Sequence, residues 1–97
     1  MKPSEALEKN RQAIREATRR FNAANPRVFG SVARGEDRPD SDLDILVDAL
    51  PGSTLLSLGG LLEELEQLLK GTSVHLLTPG DFPEKARTRV LAEAKPV

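Results

Sequence analysis

The order of elements along this chain predicts an α+β domain, a small mixed sheet covered by helices in the order αβ(α)βαβα. Three observations carry that prediction. Apolar residues recur with helical period over residues 5–24 and again over 55–70. Between and after them, residues 43–48 alternate apolar and acidic, as a strand with one covered face must. Short apolar runs at 27–29 and 73–77 supply two more strands, and the spacing leaves no internal repeat. With 97 residues, the chain is expected to form a single domain over residues 1–97.

The first helix is expected over residues 5–24. Ser4 is its candidate N-cap, and Glu5 and Glu8 sit where the helix dipole favours negative charge. Leu7, Ile14 and Phe21, with Ala6, Ala13, Ala17 and Ala24, form its apolar stripe. Arg11, Arg15 and Arg19 make a solvated row, with Glu8 and Glu16 available as partners on the same helix. Asn25-Pro26 should stop it, because proline disfavours the α conformation in the residue before it. Arg27-Val28-Phe29 then reads as a strand running into Gly30. Residues 31–41 read as a loop with one helical turn over Ser31–Arg34.

Strand 43–48 places Leu43, Ile45 and Val47 on one face. Asp42, Asp44 and Asp48 share the parity of the other. Ser53 or Thr54 caps the next helix, whose core stripe is Leu55, Leu58, Leu62, Leu65 and Leu69, with Gly71 as its stop. Gly59-Gly60 should weaken or delay its first half, at about 1 kcal/mol per glycine relative to alanine. Leu56, Leu61 and Leu68 exceed what one face needs and suggest a partner surface. A strand at 73–77, a turn at Thr78-Pro79-Gly80, and a last helix opened by Asp81 or Pro83 complete the chain. That helix should carry Phe82, Ala86, Val90 and Leu91.

Composition excludes several classes of function. A net charge of −1 lacks the basic excess of a nucleic-acid footprint, so no direct nucleic-acid binding is expected. The absence of cysteine excludes disulfides and thiolate metal sites. No apolar run reaches the roughly 20 residues that span a bilayer, so no membrane partner is expected. The first residues also lack the apolar core of a signal peptide, and a cytoplasmic location is the expectation.

Two segments point to chemistry. Gly30-Ser31-Val32-Ala33-Arg34-Gly35 follows a strand with a glycine that allows close backbone approach. It then opens a helical turn whose free N–H groups suit an anion, with Arg34 as a forked cationic donor. Alone, the hexapeptide reads better as a plain strand-to-turn connection, and it has neither a P-loop ending nor a dinucleotide fingerprint. Asp42 and Asp44, at i and i+2 on a strand about 7 Å apart at the backbone, can converge on a hard cation such as Mg2+. A surface pair on an edge strand is the plain alternative. The anion cradle a dozen residues upstream tips the balance toward a site. Asp37, in the intervening loop, is expected to be near-silent when neutralised.

Taken together, Gly30-Ser31, Arg34-Gly35 and Ser41-Asp42-Leu43-Asp44 resemble the Gly-Ser…Arg-Gly…Ser-Asp-x-Asp signature of the DNA polymerase β nucleotidyltransferase superfamily. The length is similar to that of its minimal nucleotidyltransferases, the antitoxin components of toxin–antitoxin pairs with HEPN-domain proteins. The resemblance implies the nucleotidyltransferase, polymerase β palm-like fold. It also implies that Gly30, Ser31 and Arg34 hold the phosphates of a nucleoside triphosphate, while Asp42 and Asp44 bind Mg2+ or Mn2+. The implied reaction moves AMP from ATP to a hydroxyl of a partner protein, by family analogy a tyrosine of a HEPN toxin.

One departure bears on activity. Where the family carries a third carboxylate, this chain has His75, within Val74-His75-Leu76 ahead of Thr78-Pro79. Imidazole is a poor Mg2+ ligand beside carboxylate but can take a proton from an attacking hydroxyl. The plainer interpretation, preferred on chemistry, is a partly exposed strand histidine beside a weakened site. The alternative function is then a nucleotidyltransferase-fold binding module that neutralises its partner by occlusion alone.

Overall fold

The computed structural model describes residues 1–97. Helix α1 spans Pro3–Arg20 and begins earlier than expected, because Lys2 rather than Ser4 is the N-cap. Proline in the first turn has its φ already set for a helix, and the Lys2 N–H donates to the Glu5 carboxylate at 2.7 Å. Ser4 plays a different part. Its N–H donates to Asp37 Oδ2 at 2.9 Å, so a carboxylate 33 residues away satisfies one of the unpaired N–H groups of the first turn. Asp37 is buried and bonded here, so it is not the free surface carboxylate that its loop position suggested.

The helix also ends before Asn25-Pro26. Strand β1 begins at Ala23 and runs to Phe29, with the Asn-Pro pair inside it. The pairing register with β2 shifts between Ala24 and Arg27, and Asn25 has φ +52°. This is a bulge, the one interior strand position where a residue without an N–H loses no ladder bond and an asparagine in the left-handed region is tolerated. The proline signal was therefore real, but it marks a bulge and not a helix end.

Helix α2 is the single turn Gly30–Arg34, and β2 spans Leu43–Ala49. Helix α3 covers Leu55–Leu68, capped by the Thr54 hydroxyl, which accepts the Ser57 N–H at 3.1 Å. It shows no delayed start at Gly59-Gly60. A Cβ at Gly60 would lie 2.7 Å from Phe21 Cε1, so glycine there lets α3 close on the end of α1. Strand β3 is Val74–Leu77, followed by a 3-10 turn at Pro79–Asp81 and helix α4 at Glu84–Glu93. A short last strand, β4 at Lys95–Pro96, was not expected.

The sheet order is β3-β2-β1-β4, with β1 antiparallel to both β2 and β4, and β3 parallel to β2. Leu43, Ile45 and Val47 face the main core as expected, where they meet Leu7, Ile14 and Ala17 of α1 and Leu61, Leu65 and Leu69 from α3 and its end. The α3 stripe is rotated from the expected one. Leu61 is fully buried and Leu68 packs against the core, whereas Leu55 and Leu56 are 90% and 87% exposed. Leu55 thus leaves the expected core stripe, and of the three surplus leucines only Leu56 faces solvent.

The opposite face of the sheet is only partly open. Phe29 pairs with Asp44 and Leu46 with Arg27, so both apolar residues share the side of the aspartates, and both are buried apart from the main core. Phe82 meets Phe29 edge-on, ring centroids 5.8 Å apart. It precedes α4 and does not lie within it, and α4 itself buries no side chain.

Candidate active site

Gly30 sits where β1 turns into α2, with φ +72°. Its neighbour across the sheet fixes the rest: Phe29 pairs with Asp44, which brings the Asp44 side chain against the glycine. A Cβ on Gly30 would overlap Asp44 Oδ2. Both the left-handed backbone and the close approach require glycine here. The cradle and the acid pair are one unit, reached from opposite ends of the motif.

Asp42 immediately precedes β2, and Asp44 is its second residue. The loop that delivers them is pinned at Ser41, whose hydroxyl accepts the Arg38 N–H at 2.8 Å while its own N–H donates to the Arg38 carbonyl at 2.9 Å. From the other side, the Leu43 N–H donates to the Ser73 carbonyl at 2.8 Å, tying the aspartates to the start of β3. Asp44 is only 23% exposed, and burial pushes its carboxyl above the ordinary value. The nearby Asp42 charge adds to this, and His75 opposes it.

His75 faces both acids. The parallel pairing of β2 with β3 sets it directly across from Asp44. Its Nδ1 lies 3.2 Å from Asp44 Oδ1 and its Nε2 lies 3.8 Å from Asp42 Oδ2. Both are ion-pair approaches, the first at hydrogen-bond distance but without the direction of one. A half-exposed strand histidine was expected; its aim at both carboxylates was the open question. Asp48, on the same strand, is turned to other work, accepting from Asn25 Nδ2 at 2.8 Å and Arg27 Nη2 at 3.2 Å at the bulge.

Arg34 lies beside the cradle, but its fork is engaged. Nε donates to Glu36 at 2.8 Å, and Nη1 donates to Glu93 Oε1 at 2.8 Å. These bonds, that to Glu93 first, raise its already high pKa. The other oxygen of Glu93 accepts the Gly30 N–H at 2.7 Å. Hydrogen bonds from Arg34 and from the Gly30 backbone hold the Glu93 carboxyl below its ordinary range. Glu93 is the residue that sequence reasoning missed. It stands 63 positions from Gly30, in no motif, and only the packing of α4 beside α2 brings it in.

No three side chains form a closed metal cage. The residues present still fit a hard divalent cation that arrives with phosphate. Asp42 and Asp44 offer oxygens on one face, and the missing side chain of Gly30 is what lets the Asp44 carboxylate lie against the turn. The site is a shelf and not a cleft, and none of the four surface depressions is lined by Gly30, Asp42, Asp44 or His75.

This arrangement has relatives. Protein adenylyltransferase MntA of Thermococcus cleftensis is 40% identical over 79 residues, covering 81% of this chain and 79% of that one. A solved chain provisionally identified as a minimal nucleotidyltransferase superposes with a TM-score of 0.87 at 44% identity, over 97% of this chain and 95% of that one. A toxin–antitoxin structure with AMP-PNP shares the fold at a TM-score of 0.73 and 22% identity, covering 90% of this chain and 71% of that chain. The nucleotidyltransferase domain model matches residues 10–97, which take in all four strands and every residue of the shelf, and the chain belongs to that family in its minimal form.

Proposed function

We propose that this nucleotidyltransferase moves AMP from ATP to a hydroxyl of a partner protein, as the antitoxin of a HEPN-domain toxin in the cytoplasm. The observation that supports the reading is the close approach of Asp44 to Gly30, which joins the glycine turn to the acid pair. The relatives named protein adenylyltransferase support a protein acceptor, and the neighbour solved with AMP-PNP as a toxin–antitoxin complex supports both nucleotide and partner. No helix is long and apolar enough to cross a membrane.

In this reading the Gly30 backbone and the Ser31 hydroxyl position the triphosphate, and Asp42 and Asp44 hold Mg2+ or Mn2+. The bound ion supplies Lewis-acid stabilisation of charge on the transferring phosphoryl oxygens. The acceptor hydroxyl oxygen forms a bond to the α-phosphorus, the bond from that phosphorus to the bridging oxygen breaks, and pyrophosphate leaves. In the same reading His75, which approaches both aspartates, takes the hydroxyl proton. Arg34 joins the phosphates only if it exchanges its carboxylate partners for them.

The test is transfer of labelled AMP from ATP to the co-purified partner, by the wild type and by Asp44→Asn. The wild type labels the partner and the variant does not. One observation favours the second function, occlusion without chemistry: His75 stands in place of a third acid and engages both that remain. Under that alternative neither protein transfers label, and Asp44→Asn still neutralises the partner.

A further inference from the structure

Both oxygens of Glu93 are committed to the cradle. Oε2 takes the N–H of Gly30 at 2.7 Å, and Oε1 takes Nη1 of Arg34 at 2.8 Å. These are the backbone donor and the cationic donor that the motif offers to phosphate. A carboxylate presents the same acceptor chemistry as two phosphate oxygens, so an anionic side chain of the protein sits where a ligand's anion is to bind. The same two donors hold the Glu93 carboxyl below its ordinary range.

The way α4 is mounted allows this contact to open. The helix buries no side chain, and Glu93 is its last residue. Its start is held by Phe82 against Phe29 and by Arg87, which donates to the carbonyls of Pro79 and Phe82 at 2.9 and 3.0 Å. Just beyond its end, β4 pairs with β1, and the Val97 N–H donates to the Pro26 carbonyl at 2.9 Å. The backbone on both sides of Glu93 is therefore anchored, while rotation of one flexible side chain frees the Gly30 N–H and Arg34 Nη1 together, with Arg34 Nε still on Glu36.

We propose that Glu93 is a built-in anion that guards the phosphate cradle, competing with the triphosphate for the Gly30 N–H and Arg34 and giving way when nucleotide binds. Nucleotide affinity is then set partly from α4, an element outside the signature. The proposal rests on the reading that the Gly30-Ser31 turn receives the triphosphate. It differs from a merely structural role in sign. A residue that only braces Arg34 for phosphate binding weakens nucleotide binding when removed, whereas a competitor strengthens it.

The experiment is calorimetric titration of the full chain with AMP-PNP and Mg2+, in the wild type, Glu93→Gln, Glu93→Ala and Asp44→Asn. Glu93→Gln keeps the shape and an acceptor for Gly30 while losing the charge. Both Glu93 variants should bind AMP-PNP about tenfold more tightly, the order expected when a charge-assisted competitor for two donors is removed. Their thermal midpoints should nonetheless drop, since the folded chain loses an ion pair. With the partner present, KM for ATP should fall while kcat stays within about twofold, as for loss of a ground-state competitor. In amide NMR, the Gly30 signal of the wild type should shift on adding AMP-PNP and Mg2+, toward a position shared with nucleotide-bound Glu93→Gln. Equal or weaker binding by both Glu93 variants, beside a wild type whose binding needs Asp44, overturns the proposal and leaves the site reading intact. Absence of binding in every variant, wild type included, overturns both.

Discussion

Replacing Gly30 by alanine tests the joint between cradle and acid pair, and Gly35 supplies its internal control. Both glycines have φ +72°, so alanine pays the same backbone penalty at each, about 1 kcal/mol for a single L-residue in the left-handed region. Both substitutions also gain the same small amount from a stiffer unfolded chain. The two sites differ in what a Cβ meets. At Gly35 nothing lies within 4 Å, whereas at Gly30 the methyl overlaps the Asp44 carboxylate. Overpacking of that kind adds roughly 1–3 kcal/mol and forces Asp44 out of line. Gly30→Ala should therefore cost about 2–4 kcal/mol, and Gly35→Ala about 1 kcal/mol. For a chain of this size each kcal/mol lowers the melting midpoint by about 4–8 °C, so circular-dichroism melts should separate the two by several degrees or more. Titration with AMP-PNP and Mg2+ should then find binding lost in Gly30→Ala and kept in Gly35→Ala. Equal midpoints, or nucleotide binding retained by Gly30→Ala, would refute the argument that this glycine exists to admit Asp44.

Three further outcomes follow from named contacts. His75→Asp restores a third acid across from Asp44 and should tighten Mn2+ binding about tenfold, read by calorimetry, because ligand charge governs affinity for hard cations; His75→Ala should lower AMP transfer while leaving partner binding unchanged if the imidazole takes the proton. At Asp37, burial raises the carboxyl pKa, but the Ser4 hydrogen bond and the Lys2 charge outweigh it and set it below the ordinary value. A depressed folded pKa stabilises above the unfolded value near 4 and is lost as pH falls through the folded one, so Asp37→Asn should cost about 0.5–1 kcal/mol at pH 7. That difference from the wild type should shrink in urea melts as pH falls below the unfolded value near 4, and a gap that ignores pH would refute the assignment. Finally, Gly59→Ala meets nothing within 4 Å in a helix and should raise stability by about 1 kcal/mol, whereas Gly60→Ala drives a methyl against Phe21 and should gain none of it.

Much of the site was legible along the chain because its geometry is local. Asp42 and Asp44 share a face by strand parity, and Gly30-Ser31 opens a turn by the same short-range rules that end any strand in glycine. Position 75 could be placed across from them by parity and by the order of the strands, but parity does not say where a ring points. The burial of Asp37 went unread for a related reason. A loop carboxylate carries no local mark of the helix end it will cap, and Ser4 is 33 residues away.

Asn25-Pro26 shows the same limit from the other side. Its local signal, a backbone that cannot continue a helix, was correct, yet pairing with β2 turned it into a bulge within a strand. Glu93 and β4 left no readable trace at all. Two residues of strand and one carboxylate at a helix end are too short to show periodicity, and their partners lie 59 or more residues earlier. By itself, then, the sequence determined the chemistry available at the shelf: two acids, a glycine turn and a histidine where a third acid stands in the family. Only the tertiary structure decided which groups oppose one another there, with His75 between both acids and Glu93 across the cradle. Hydrogen bonds and ion pairs depend on separations of a few ångströms in space, and residues far apart in the chain acquire those separations only when the sheet and α4 have packed.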